Sequence, residues 1–139
     1  MRGVATSGWR GRSFSLGIAD SVTVLARSAA EADAAATMIA NAVNIDDARI
    51  TRRPACELKD DSDLGAIPVT VTVPVLDAES VRRALAAGAH RARELQLRGL
   101  IWSAALVCQG RVMTVDNGAA AASRGTEQAA DQPALLALA

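Results

Sequence analysis

Asp33 and Thr37 stand four residues apart in an alanine-rich run that carries Asn41 one further turn along. On a helix, side chains at that spacing project from one face. A carboxylate above a hydroxyl offers hard oxygen donors, the kind magnesium takes while keeping water or a ligand phosphate in its remaining positions. The same pair also fits the solvated side of an alanine helix. A second candidate is Thr6-Ser7-Gly8-Trp9-Arg10-Gly11-Arg12-Ser13. Its glycines let backbone N–H groups approach an anion, and Arg10 or Arg12 could add charge-assisted bonds. It matches neither the P-loop nor the dinucleotide pattern. An ordinary turn, with Trp9 anchoring it or stacking on a flat ring, accounts for it as well.

The remaining reactive groups argue against several reaction classes. His90 is the single histidine, set in a helical run beside Arg91 with Glu94 one turn on. That describes a solvated side chain rather than a general base. Without a G-x-S-x-G elbow, a serine hydrolase is set aside. Asp60, Asp61 and Asp63 precede Gly65 but lack the downstream glutamate of a calcium loop. Cys56 and Cys108 are isolated, with no C-x-x-C pair, and read as reduced structural thiols.

The elements that must position these groups follow from hydrophobic period and capping. Ser13 to Leu16 and Ser21 to Ala26 have strand character, with Gly17 to Asp20 as a turn or bulge. Ser28 followed three residues later by Glu31 is a capping box, which predicts a helix from Ala29 to about Val43. Ile45 to Ile67 shows no sustained period and reads as an irregular excursion with short elements. Val69, Val71, Val73 and Val75 alternate with polar residues or proline, as on a half-buried strand. Asp77 caps a second helix, whose Val81, Leu85, Gly88, Ala92 and Leu95 share one face and which Gly99 ends. Its arginines at 82, 83, 91, 93 and 98 read as a solvated surface. Leu100 to Cys108 is a strand, and Gln109-Gly110 turns it into Arg111 to Val115.

The order β-β-α-β-α-β-β implies an α+β fold: a mostly antiparallel sheet with two helices on one face. One domain is expected over 1–115, followed by an alanine-rich, disordered tail over 116–139. Fifteen basic and fifteen acidic residues cancel, so no long-range field gathers nucleic acid or an anionic membrane. No run reaches the roughly 20 apolar residues of a membrane span, and the start lacks a signal stretch, which together point to the cytoplasm. Half the residues are hydrophobic but only 2% are aromatic, and alanine buries little area, so the core is thin and an oligomer is expected.

Val4-Ala5-Thr6-Ser7-Gly8 followed by Ala32-Asp33-Ala34-Ala35-Ala36-Thr37 resembles the ApbE-like superfamily. Residues 11–20, Ala40-Asn41-Ala42-Val43 and Gly99-Leu100-Ile101 look more specifically like an uncharacterised branch of it, and the likeness covers residues 3 to 115. Its characterised members are magnesium-dependent FAD:protein FMN transferases of about twice this length. The resemblance implies that the chain is the carboxy-terminal half of a two-part fold, with Asp33 and Thr37 as magnesium ligands. It also implies that Thr6, Ser7, Gly8, Arg10, Gly11 and Arg12 lie near a flavin nucleotide. Where the transferases carry a His-Ile-Ile-Asp-Pro-like segment, this chain has Ser15-Leu16-Gly17-Ile18-Ala19-Asp20. The expectation is therefore a non-catalytic flavin- or nucleotide-binding or assembly module. The alternative is a transferase half-site using FAD and magnesium with a separate amino-terminal half.

Overall fold

In the segment Ser21–Ala26 (β2), Val22, Val24 and Ala26 are fully buried while Ser21, Thr23 and Leu25 face the other way, half-buried. This period of two builds the main sheet of the computed structural model, which describes residues 2–11, 14–59 and 64–116. Gly3–Ser7 (β1) lies antiparallel to β2, with Ala5 opposite Val24 and Thr6 opposite Thr23. Ser103–Cys108 (β5) takes the other side of β2, with Leu106 opposite Val22. Arg111–Val115 (β6) closes the order β1-β2-β5-β6 through a two-residue turn at Gln109 and Gly110, both at positive φ.

Two long helices cover one face of this sheet. Ala29–Ala42 (α1) starts at Ser28, whose Oγ accepts the Glu31 N–H at 3.2 Å, the N-cap half of the capping box, and donates to Glu31 Oε1 at 3.0 Å. It packs on β1 and β2 through Ala32, Ala35, Ala36, Ile39 and Ala40. Ala78–Leu97 (α3) starts at Asp77, which accepts the Ser80 N–H at 3.1 Å. It lies on β5 and β6 and against α1. At its end, Gly99 N–H donates to the Gln96 carbonyl and Leu100 N–H to the Leu95 carbonyl, the paired bonds of a Schellman cap. The helices cross closely because position 88 has no side chain: a Cβ there would stand 2.3 Å from Val43 Cγ2. Ile18, Ile39, Val43, Leu85, Leu95, Ile101 and Leu106 fill the core among many alanines.

The stretch read as an irregular excursion contains Thr51–Pro54 (β3) and the single turn Ala55–Leu58 (α2). Pro68–Thr72 (β4) pairs antiparallel with β3 alone, with a bulge between Thr51 and Arg52, so the two form a separate small sheet. This sheet is fastened to the body by polar groups. Thr70 N–H donates to the Ser15 carbonyl at 2.8 Å and Thr70 Oγ1 to the Gly17 carbonyl at 2.7 Å, both hydroxyl residues being buried. One Arg52 nitrogen reaches Asn44 Oδ1 at 2.6 Å and the Leu16 carbonyl at 3.2 Å.

The α+β class and the two helices on one sheet face agree with the sequence. The first strand does not: it is Gly3–Ser7, and residues 14–17 form no strand. Their backbone groups bond instead to Asn41, Arg52 and Thr70. The expected alternation to Val75 also stops early, since β4 ends at Thr72 and Val75 is 89% exposed. The tail expected from residue 116 lies, apart from Asp116, outside the described residues, as do Arg12, Ser13, Asp60, Asp61 and Asp63. No helix among the described residues is long and apolar enough to cross a membrane.

Candidate functional site

The glycine turn after β1 opens onto a cleft at one end of the main sheet. Gly11 N–H donates to the Gly8 carbonyl at 3.2 Å, closing the turn, and Trp9 N–H donates to the Ala19 carbonyl at 3.0 Å, holding it against the segment that enters β2. Gly8 is required by that approach, since a Cβ there would stand 2.2 Å from the Asp20 carbonyl oxygen. The turn sets the Arg10 guanidinium over the Trp9 ring, 5.0 Å from its centroid.

The opposite walls come from three other segments. Asp20 precedes β2, and its Oδ2 accepts the Gln109 N–H at 2.7 Å. Gln109, in the β5–β6 turn, accepts the Leu76 N–H through Oε1 at 2.8 Å and donates through Nε2 to the Pro74 carbonyl at 2.7 Å. Those two bonds pin the segment carrying Val73 and Val75. Trp9, Arg10, Asp20, Val73, Val75 and Gln109 thus line a cleft of about 350 Å³. It presents an aromatic ring, a cation, a carboxylate with one oxygen engaged by Gln109, and an apolar wall.

The residues proposed from sequence are divided by this geometry. Gly8 is buried against the Asp20 backbone and Arg10 lines the cleft, while Ser7 pairs with Val22 in the sheet and Gly11 is exposed at the turn. Thr6 belongs to the uncovered face of the sheet, where its Oγ1 and that of Thr23 share a hydrogen bond of 2.9 Å. Asp33 and Thr37 are both exposed on α1, and the Thr37 hydroxyl donates to the Asp33 backbone carbonyl at 3.0 Å rather than standing beside its carboxylate. Asn41 is used elsewhere: its Oδ1 accepts Leu16 N–H at 2.9 Å and Ser15 Oγ–H at 3.2 Å. No three His, Cys, Asp or Glu side chains gather into a metal-holding group among the described residues.

Asp20 and Gln109 were missed as site residues. Their available signals were local, a polar residue at a strand entry and another before a turn glycine, and neither reveals that the two meet. The sole histidine is exposed on α3, with Nε2 3.7 Å from Glu94 Oε2. Burial pushes the Cys108 thiol up to about 12, with the Asp20 charge adding to the effect, and its Sγ faces the Ile18 carbonyl at 3.6 Å. Cys56 is exposed, and both cysteines are free.

No curated protein and no solved structure matches the chain. A family model does, and it corrects the resemblance drawn from sequence: the family matched over residues 1–114 is described as AbpE bacteria, not the ApbE-like transferases. The idea of a carboxy-terminal half rested on that resemblance and loses its basis with it, and the magnesium reading of Asp33 and Thr37 keeps only their spacing on α1. By a match that takes in every element from β1 to most of β6, the chain belongs to the family described as AbpE bacteria.

Proposed function

We propose that the chain is a non-catalytic binding module that takes a small planar molecule carrying an anionic group, of the nucleotide class, in the cleft between Trp9, Asp20 and Gln109. The observation that supports this reading is the convergence of unlike groups from separate segments: an indole beside a guanidinium, opposite a carboxylate. A ring can stack on indole, its N–H groups can donate to Asp20, and a phosphate suits the Arg10 guanidinium. A volume of about 350 Å³ is of the right order for such a ligand. Binding without chemistry is favoured because the groups best suited to proton or nucleophilic chemistry lie elsewhere: His90 is out on α3, and the Cys108 thiol is buried and held protonated. Two free thiols favour a reducing compartment, the cytoplasm, as the place of action.

The test is tryptophan fluorescence of the full chain in a Trp102→Phe background, so that Trp9 alone reports. Adenosine monophosphate, flavin mononucleotide and FAD serve as probes, each with and without magnesium. The expected result is saturable quenching by at least one probe, weakened at least tenfold by Arg10→Ala. Quenching by none of them, or quenching that Arg10→Ala leaves unchanged, overturns the reading.

A further inference from the structure

The main sheet has a second face that no described helix or strand covers. Both long helices pack on the other side, and β3 and β4 pair only with each other. The outward positions, read from the register, are Val4 and Thr6 on β1, then Ser21, Thr23 and Leu25 on β2. On β5 they are Ser103, Ala105 and Val107, and on β6 Val112 and Thr114. None is charged, in a chain whose residues are 22% charged. An antiparallel sheet that ends at water ordinarily alternates apolar inside with polar and charged outside. Here Val4 is 62% exposed, and a shallow hollow of about 230 Å³ is lined by Val4, Leu25, Ala105 and their neighbours.

We propose that this face is the contact surface for a second copy of the same chain, packed sheet on sheet about a two-fold axis running along the strands. Such an axis lays β2 of one copy over β5 of the other, and the register then decides what meets. Leu25 comes opposite Ser103, Thr23 opposite Ala105, and Val107 opposite Ser21. Each position couples a larger side chain to a smaller one, the interdigitation that lets two sheets pack at about 10 Å. The rim agrees. Arg2, preceding β1, and Asp116, following β6, stand at the same end of the sheet on its opposite edges. The same axis brings the Arg2 corner of one copy over the Asp116 corner of the other. With fifteen charges of each sign, the chain raises no net repulsion between copies.

The area sets the strength. Four strands about 4.8 Å apart and five residues long at about 3.3 Å each cover roughly 300–400 Å², about half of the ≈800 Å² per partner of a standard interface. The dimer is therefore weak and concentration-dependent. The cleft lies at the end of the strands away from Arg2 and Asp116.

Sedimentation equilibrium of the full chain from 10 µM to 1 mM tests this. The expected result is a mass rising from 14.3 kDa toward twice that value. Ala105→Lys, at the centre of the face, is expected to raise the dissociation constant at least tenfold without loss of the native circular dichroism spectrum. Ala86→Lys on the exposed side of α3 is expected to leave it unchanged. A mass of one chain at every concentration overturns the proposal, as does an Ala105→Lys variant that associates like the wild type. A monomeric wild type whose thermal midpoint drops on Ala105→Lys identifies another part of the chain as the cover and overturns it equally.

Discussion

The backbone N–H of Gln109 donates to Oδ2 of Asp20 at 2.7 Å, joining the first residue of the β5–β6 turn to the residue that leads into β2. The bond has an ionised acceptor, and such bonds carry about 1.5–3 kcal/mol when removed from a shielded site. Asp20 is half-buried, so Asp20→Ala is expected to cost about 1–2 kcal/mol in urea unfolding. Asp20→Asn keeps an acceptor and is expected to cost less than half as much.

Gln109 also acts through its side chain. Gln109→Ala removes the acceptor for Leu76 N–H and the donor to the Pro74 carbonyl together. Each ordinary hydrogen bond contributes about 1 kcal/mol net, so a loss of about 1–2 kcal/mol is expected. The sharper readout is hydrogen exchange: protection of the Leu76 amide is expected to fall at least tenfold, while that of the α1 core amides follows global stability alone.

Gly88 pits helix propensity against space. Replacing a mid-helix glycine with alanine gains up to about 1 kcal/mol where nothing obstructs it. Here the new methyl meets Val43 Cγ2 at 2.3 Å and Leu106 Cδ2 at 2.8 Å. Overpacking costs about 1–3 kcal/mol, so Gly88→Ala is expected to be net destabilising. In a double-mutant cycle with Val43→Ala the two substitutions are expected to couple favourably, by at least about 0.5 kcal/mol.

Stability is expected to fall at both ends of the pH range. The Arg49 side chain, helped by the Arg49 N–H, holds Asp47 down to about 2 from 3.8. The folded state therefore favours the carboxylate, and that contribution is present above pH 3.8 and lost as pH falls toward 2. At the other end, burial raises Cys108 from 9.0 to about 12, so the unfolded chain releases its proton first and stability drops as pH rises from 9 toward 12. Urea midpoints across pH measure both arms. Asp47→Asn is expected to flatten the acid arm and Cys108→Val the alkaline one. A disulfide reagent at pH 8 is expected to titrate the exposed Cys56 at once and Cys108 only on unfolding.

The second half of the fold was legible in the sequence because several local signals agreed there. The Asp77 cap, a 3.6-residue apolar stripe, the Gly99 stop and the Gln109-Gly110 turn all specify one structure without distant help. The first strand was not legible: Gly3 to Ser7 is short, small and glycine-flanked, and it becomes a strand through pairing with β2. In the strand expected over 13–16, the described residues 14–16 showed the opposite error, since their strand-like composition is overridden by Ser15 turning inward to Asn41. The cleft was half legible. Arg10 and the glycine turn were visible as a candidate, but Asp20 and Gln109 lie 89 positions apart and are joined only through the adjacency of β2 and β5. Asp33 and Thr37 mark the limit of spacing arguments: four residues apart put them on one helix face, yet the Thr37 hydroxyl bonds to the main chain.

The attachment of β3 and β4 has a consequence for how the molecule opens. Their ladder does not continue into the main sheet, and the bonds from Thr70 and Arg52 all end on residues 15–17 and Asn44. The chain thus contains a clasp: releasing the short stretch at 15–17 together with the Arg52–Asn44 bond unfastens the small sheet while β1, β2, β5 and β6 stay paired. Subglobal opening of residues 51–72 is then a smaller event than global unfolding, and it gives proteases an entry point that leaves the four-stranded body intact.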